Sequence, residues 1–146
     1  MIIRDTTPRR RMTDYFALQM TSEKIGSIST LGLAHMGDAV YELMVRSWIC
    51  ERGNVTANEI HREAVRMVSS PAQARAVPYI MDMLTPEEAA VFKRGRNAKS
   101  NSEPRHVSPE IYHTATGLET LFGWLYLRGD RDRLTELFEA IAAGTA

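Results

Sequence analysis

Apolar residues recur along this chain at the three- and four-residue spacing of helices, with no convincing two-residue alternation and no Asn-Gly or Asp-Gly hairpin signal. The pattern predicts an all-α protein. Its longest apolar stretch runs from Leu31 to Ile49 and has few polar interruptions, so this helix is expected to be central to the core. A second stretch, Leu118 to Leu127, has the same character.

Helix starts are chemically legible. Thr13-Asp14 is expected to cap a short helix through Met20, and Ser29-Thr30 the long apolar helix, which should end near Arg52-Gly53. Thr56 to Glu59 reads TANE, a capping box opening a helix to about Val68. Ser70-Pro71, Thr85-Pro86 and Ser108-Pro109 each place a capping side chain before a proline at the first helical position. The last helix is expected over 131–142. Pro78 should kink or split its helix. Residues 1–12 are polar and basic without periodicity and read as a mobile tail, leaving 13–146 as one domain. The stretch from Arg96 to Val107 reads as an exposed loop, with Gly95 before it and Pro104 inside.

Length and composition add limits. A chain of 146 residues with 44% hydrophobic and 25% charged residues is ordinary for one globular domain. No apolar run approaches the roughly 18 residues of a membrane-spanning helix. The first residues have no apolar signal-peptide core, so a cytoplasmic protein is expected. Cys50, the single cysteine, can form no internal disulfide; beside Trp48 and Ile49 it is expected to be a small buried hydrophobe.

Net charge is zero, yet its distribution is uneven. Lys93, Arg94, Arg96, Lys99 and Arg105 face only Glu103 between positions 93 and 106. A locally basic surface attracts phosphate whatever the total charge.

Two acids sit oddly. Asp38 lies mid-helix beside Gly37, where glycine costs about 1 kcal/mol and aspartate roughly 0.5–0.7 kcal/mol relative to alanine. His35, Asp38, Tyr41 and Glu42 share one polar strip at 100° per residue, and Glu42 can pair with Arg46 one turn on. Glu119 repeats the arrangement, with Gly117 and Gly123 on either side. Each acid has a plain explanation as an arginine-paired edge residue, Asp38 with Arg46 or Arg66 and Glu119 with Arg128 or Lys99. The alternative is a carboxylate pair for a hard divalent cation, Mg²⁺ or Mn²⁺, with glycine letting helices approach closely. Such a cation lowers the pKa of water and offsets phosphodiester charge. His61, His106 and His113 show no metal-ligand spacing, and His35 reads as a supporting or packing residue.

At these residues a resemblance enters. GDAVYE, Gly37 to Glu42, resembles the signature helix of the ribonuclease III family, and ATGLETLFGWLYL, Ala115 to Leu127, resembles its second acidic helix. KRGRNAKS, Lys93 to Ser100, with the absence of room for a further domain, resembles the Mini-III branch. The resemblance covers roughly residues 14–142. It implies a ribonuclease III-type endonuclease domain in which Asp38 and Glu119 hold metal and are catalytic. Leu31, Ala34 and Thr116 stand where full-length relatives have acids, which leaves the number of metals open.

The resemblance further implies a homodimer with the signature helices near its axis, Met36, Tyr41 or Met44 being candidates for the interface. It implies cleavage of double-stranded RNA by metal-activated water, and maturation of the large-subunit (23S) ribosomal RNA precursor with a ribosomal protein assisting. Duplex RNA is read through phosphates and 2′-hydroxyls. Arg94, Arg96, Lys99 and Arg105 supply cations for this, and Asn97 and Ser100 supply polar groups. Two other classes stay open: a catalytically silent duplex-RNA-binding dimer on the same fold, and an all-α Mg²⁺-dependent nucleotide pyrophosphohydrolase. The second fits poorly, because Glu87-Glu88 lacks the spaced acidic partners such enzymes use.

Overall fold

Hydroxyl side chains start most helices of this computed structural model, which describes residues 12–99 and 103–145. The elements are α1 (Ser22–Gly26), α2 (Thr30–Glu51), α3 (Ala57–Val68), α4 (Ser70–Ala76), α5 (Pro86–Arg96), α6 (Pro109–Arg128) and α7 (Arg131–Thr145). Two single 3₁₀ turns, Val77–Tyr79 and Met81–Met83, join α4 to α5. Among the described residues there is no strand, and the all-α expectation holds.

Thr56 and Thr85 each accept the N–H three residues on, while Glu59 and Glu88 reach back to the threonine N–H, closing two capping boxes. Ser29 and Ser108 cap α2 and α6 as expected. Gly53 takes φ 69°, the left-handed conformation that ends α2. Pro78 splits its helix into the first 3₁₀ turn.

Several boundaries differ from expectation. Ser69, not Ser70, caps α4, because its extended backbone lets Oγ accept from Ala72. Asp14 does not start a helix. Its Oδ1 accepts from Phe16 N–H in a local turn, and Met20 N–H instead donates to Leu127 O at 2.9 Å, which holds the segment along the end of α6. A short helix, α1, starts later behind Thr21. The last helix continues three residues beyond position 142.

The most extensive packing is between α2 and α6. Leu33, Val40, Val45 and Ile49 meet Leu118, Leu121, Phe122 and Leu125, with Leu137, Phe138 and Ile141 of α7 closing the core. Tyr41 belongs here and not on a polar strip. It is 1% exposed, packed edge-on to Phe122 and Phe138 at 5.3 and 6.1 Å, and burial pushes its hydroxyl pKa up to about 12. At 100° per residue it sits 60° from Asp38, enough to turn a large ring into the core. It is therefore not available to a subunit interface.

The opposite flank of α2 is not enclosed, and Met36 and Met44, two of the residues named as candidates for a subunit interface, lie on it. Leu43 is 52% exposed, and with Phe16, Met36, Met44, Tyr126 and Leu134 it borders an apolar cavity of about 300 Å³. Cys50 is exposed, against expectation. Among the described residues no helix is long and apolar enough to cross a membrane.

Candidate functional site

The position of the site follows from glycine. A Cβ on Gly37 would lie 1.6 Å from the backbone oxygen of Glu119, and one on Gly123 would lie 2.1 Å from Leu33 O. The backbones of α2 and α6 therefore touch where the two helices cross. A hydrogen at each glycine is what allows it. Asp38 follows Gly37 and Glu119 precedes Gly123 by one turn, so the crossing delivers both carboxylates to one place.

That place is a cavity of about 330 Å³. Asp38 and Glu119 line it with His35, Ser70, Gln73, Tyr112 and Thr116, and Leu31, Ala34 and Val68 complete the wall. Leu31, Ala34 and Thr116, the three positions that resemble acid sites of larger relatives, all open onto it. Thr116 has its hydroxyl engaged, donating to Tyr112 O at 3.0 Å. Sequence reading missed Ser70, Gln73 and Tyr112. For Gln73, 2% exposed, the one available signal was a lone amide among the alanines of α4.

The arginine-pairing explanation for the two acids does not describe the structure. Arg46 pairs with Glu42 at 2.9 Å, and Arg128 with Glu87 and Asp130 at 3.0 and 3.1 Å while stacking on Trp124. Among the described residues no cation pairs with Asp38 or Glu119. Glu119 carries the consequence, its pKa raised to about 8 by burial first, then by the charge of Asp38, then by a hydrogen bond to the Asp38 side chain.

Two adjacent carboxylates without a protein cation form a local deficit of positive charge. The donors are hard oxygens, with no thiolate nearby and one imidazole, His35, which suits Mg²⁺ or Mn²⁺ better than a soft metal. Among the described residues no third Asp, Glu, His or Cys joins them in a metal-holding cluster. The pair fits a cation whose remaining ligands are water or substrate oxygen.

The basic segment is anchored beside this site. A Cβ on Gly95 would lie 2.3 Å from Thr120 Oγ1 and 3.1 Å from Gly117 Cα, so the last turn of α5 presses onto α6 one residue from Glu119. Arg94 and Arg96 lie on that turn and Asn97 caps it; Lys99 and Arg105 follow in the loop, and all five are exposed. The Arg96 guanidinium lies 5.9 Å from the Phe92 ring centre. Among the described residues none of these four cations is ion-paired. Ser100 lies outside the described residues. Glu103 ties the far side of the loop to α6 through His113 Nε2 at 2.8 Å.

Comparison with known proteins converges on one group. The Ribonuclease III domain family matches residues 31–130, a span that includes both acids and the basic segment. The Mini-ribonuclease 3 of Symbiobacterium thermophilum is 44% identical over 116 residues, covering 80% of this chain and 89% of that protein. The Mini-ribonuclease 3 of Clostridium tetani is 37% identical over 132 residues, 89% of this chain and 87% of that one. A crystal structure of a Fusobacterium nucleatum protein superposes with a TM-score of 0.73 at 25% identity, covering 84% of this chain and 98% of that chain.

Proposed function

The chain belongs to the ribonuclease III family, within it to the Mini-ribonuclease 3 group of endoribonucleases, and we propose that it cuts both strands of duplex RNA with a divalent cation held by Asp38 and Glu119. The observation that carries this reading is the convergence of those two carboxylates, with no cation paired to them among the described residues, in one open cavity beside an exposed basic segment.

Each part of the site has a task. Asp38 and Glu119 supply oxygen ligands and fix the place of reaction at the α2–α6 crossing. Bound there, Mg²⁺ or Mn²⁺ lowers the pKa of a water molecule and offsets charge on the phosphodiester. With its pKa raised to about 8, Glu119 would have to give up its proton to hold a cation, so occupancy would fall in acid. Arg94, Arg96, Lys99 and Arg105 hold the phosphate backbone, and Asn97 and Ser100 contact 2′-hydroxyls or phosphates. A duplex held across about four phosphates per protomer gives a log–log salt slope of about −3 to −4. The Gly95–Thr120 contact keeps this cationic segment from drifting relative to Glu119.

Cutting both strands calls for two sites, and a homodimer provides them. The apolar flank of α2 around Leu43 is the surface that fits a second copy. Family membership supports the large-subunit (23S) ribosomal RNA precursor as the physiological duplex, with a ribosomal protein shaping it, in the cytoplasm.

The test compares wild type with Asp38→Asn and Glu119→Gln on a long duplex RNA, with single-stranded RNA and duplex DNA as controls, in Mg²⁺ and in chelator. Duplex-specific cutting that needs the cation and is lost in both variants, with RNA binding retained, is the expected outcome. Tight binding without cutting by wild type would make the protein a binding module.

A further inference from the structure

The second cavity of interest lies elsewhere, between the C-terminal half of α2, the facing sides of α3 and α4, the first 3₁₀ turn and the end of α7. Its volume is about 520 Å³, within the usual range for small-molecule sites. It shares no lining residue with the acidic cavity. Of its lining residues on α2, Tyr41 follows Asp38 by three positions but is turned into the core, and Trp48 is ten residues, about 15 Å of helix, away.

Its walls combine cations and aromatic rings. Arg52, Arg66 and Arg75 line it against a single acid, Glu63, which Arg52 already engages. Among the described residues Arg66 and Arg75 have no carboxylate partner. One face of Trp48 is taken by the Arg52 guanidinium at 5.6 Å. Tyr79 is held differently. A Cβ on Gly144 would lie 2.3 Å from its ring, so glycine on α7 lets the ring rest directly on the helix backbone, while Tyr79 remains 48% exposed. A half-open aromatic face, backed by α7, thus stands around one cavity with two guanidiniums that have no carboxylate partner among the described residues.

We infer that this cavity binds a nucleoside 5′-phosphate unit, its base stacked on Tyr79 and its phosphate held by Arg66 and Arg75. Guanidinium matches phosphate through paired N–H donors, and a stacked ring accepts any base because every base has a π-face. Inorganic phosphate alone leaves the aromatic wall unused, and an uncharged nucleoside leaves the arginines unpaired. The unit comes either from a free mononucleotide or from an unpaired, 5′-phosphorylated nucleotide at the end of an RNA. Nothing in this site depends on the Asp38–Glu119 carboxylate pair or on nuclease activity.

The experiment is calorimetric titration of the full chain with AMP, adenosine and inorganic phosphate in chelator, so that the acidic site takes no part. AMP is expected to bind saturably and more tightly than either fragment. Arg66→Gln/Arg75→Gln and Tyr79→Ala each weaken it by about tenfold or more, with thermal unfolding showing that the variants fold. Asp38→Asn leaves AMP binding unchanged. The ranking of the three probes on wild type stands as a test even if a variant fails to fold. Absence of saturable AMP binding up to about 10 mM, near the weakest useful affinity, overturns the proposal. So does undiminished binding by the folded double-arginine variant, or loss of binding in Asp38→Asn. Failure of duplex cleavage in Mg²⁺ would leave these titrations untouched, so the two readings fail separately. A duplex with one unpaired 5′-phosphorylated nucleotide then identifies the source. Tighter binding than a blunt duplex, in wild type and not in the double-arginine variant, assigns the site to RNA ends; equal binding assigns it to free nucleotide.

Discussion

A Cβ placed on Gly37 would lie 1.6 Å from the carbonyl oxygen of Glu119, so α2 and α6 meet backbone to backbone at the point that carries both acids. Gly37→Ala cannot be absorbed by a side-chain rotation, because the opposing atom is main chain. The helices must separate, at the upper end of the usual 1–3 kcal/mol for overpacking, about 3 kcal/mol. Denaturant unfolding should show a lower midpoint with an unchanged slope, and cleavage of duplex RNA should fall because the carboxylates move apart. Full stability in the variant would mean that the crossing is looser than the structure has it.

Glu119 makes the metal-free protein sensitive to alkali. Its folded pKa, about 8, lies above the ordinary 4.5, so between those values the folded state binds more protons than the unfolded state. Stability therefore falls as pH rises from about 4.5 to about 8 and then levels. Thermal unfolding in chelator should record this decline, and Glu119→Gln should flatten it. Mg²⁺ should raise the melting temperature most at pH 8, where the ionised pair most needs a cation. A pH-independent melting temperature in this window would contradict the placement of the two acids.

Much of this was legible in the sequence where the physics is local. Capping boxes at Thr56 and Thr85 use groups three residues apart, so the sequence alone contains both partners. Gly37 beside Asp38 announced a close approach, and the anomaly of a poor helix former in an apolar run proved informative. What it approached was not legible, because the contact with Glu119 spans most of the chain. Ser69 and Ser70 offer equivalent caps, and only the backbone geometry at the junction of α3 and α4 selects between them. Tyr41 falls on the polar strip in the sequence and in the core in the structure for a related reason. Periodicity places a residue on a face of the helix, but whether that face meets core or solvent depends on neighbours such as Phe122 and Phe138.

Arg133 and Glu88, 45 residues apart, form an ion pair that no local pattern foretold. Arg133 reaches both carboxylate oxygens at 2.9 and 2.8 Å, and its Nη2 also donates to Met83 O at 2.5 Å. Glu88 is 5% exposed and simultaneously closes the capping box of α5. Arg133→Ala leaves that carboxylate buried without a cation and should cost about 3–5 kcal/mol in denaturant unfolding at neutral pH. The Arg133 hydrogen bond holds the pKa of Glu88 below 4.5, so its contribution is complete above that value and is lost as pH falls through the folded pKa. The variant should therefore lose less stability than wild type on acidification below pH 4.5. An equal acid response in both would remove Glu88 from the account of acid unfolding.

Leu43 provides the test of the second copy. It is 52% exposed on the apolar flank of α2, beside Phe16 and Met36. If two copies meet there about a two-fold axis, Leu43→Asp is introduced twice into one interface. At about 2 kcal/mol for each central residue lost, the combined penalty of about 4 kcal/mol weakens the dimer by roughly a thousandfold. Sedimentation velocity at micromolar protein should then show wild type as a dimer and the variant as a monomer, with unchanged helical circular dichroism because Leu43 lies outside the buried core. The monomer keeps Asp38 and Glu119 in their cavity, so any residual action on duplex RNA should nick single strands instead of cutting both together. A wild-type monomer, or a variant that remains dimeric, would place the second copy on another surface.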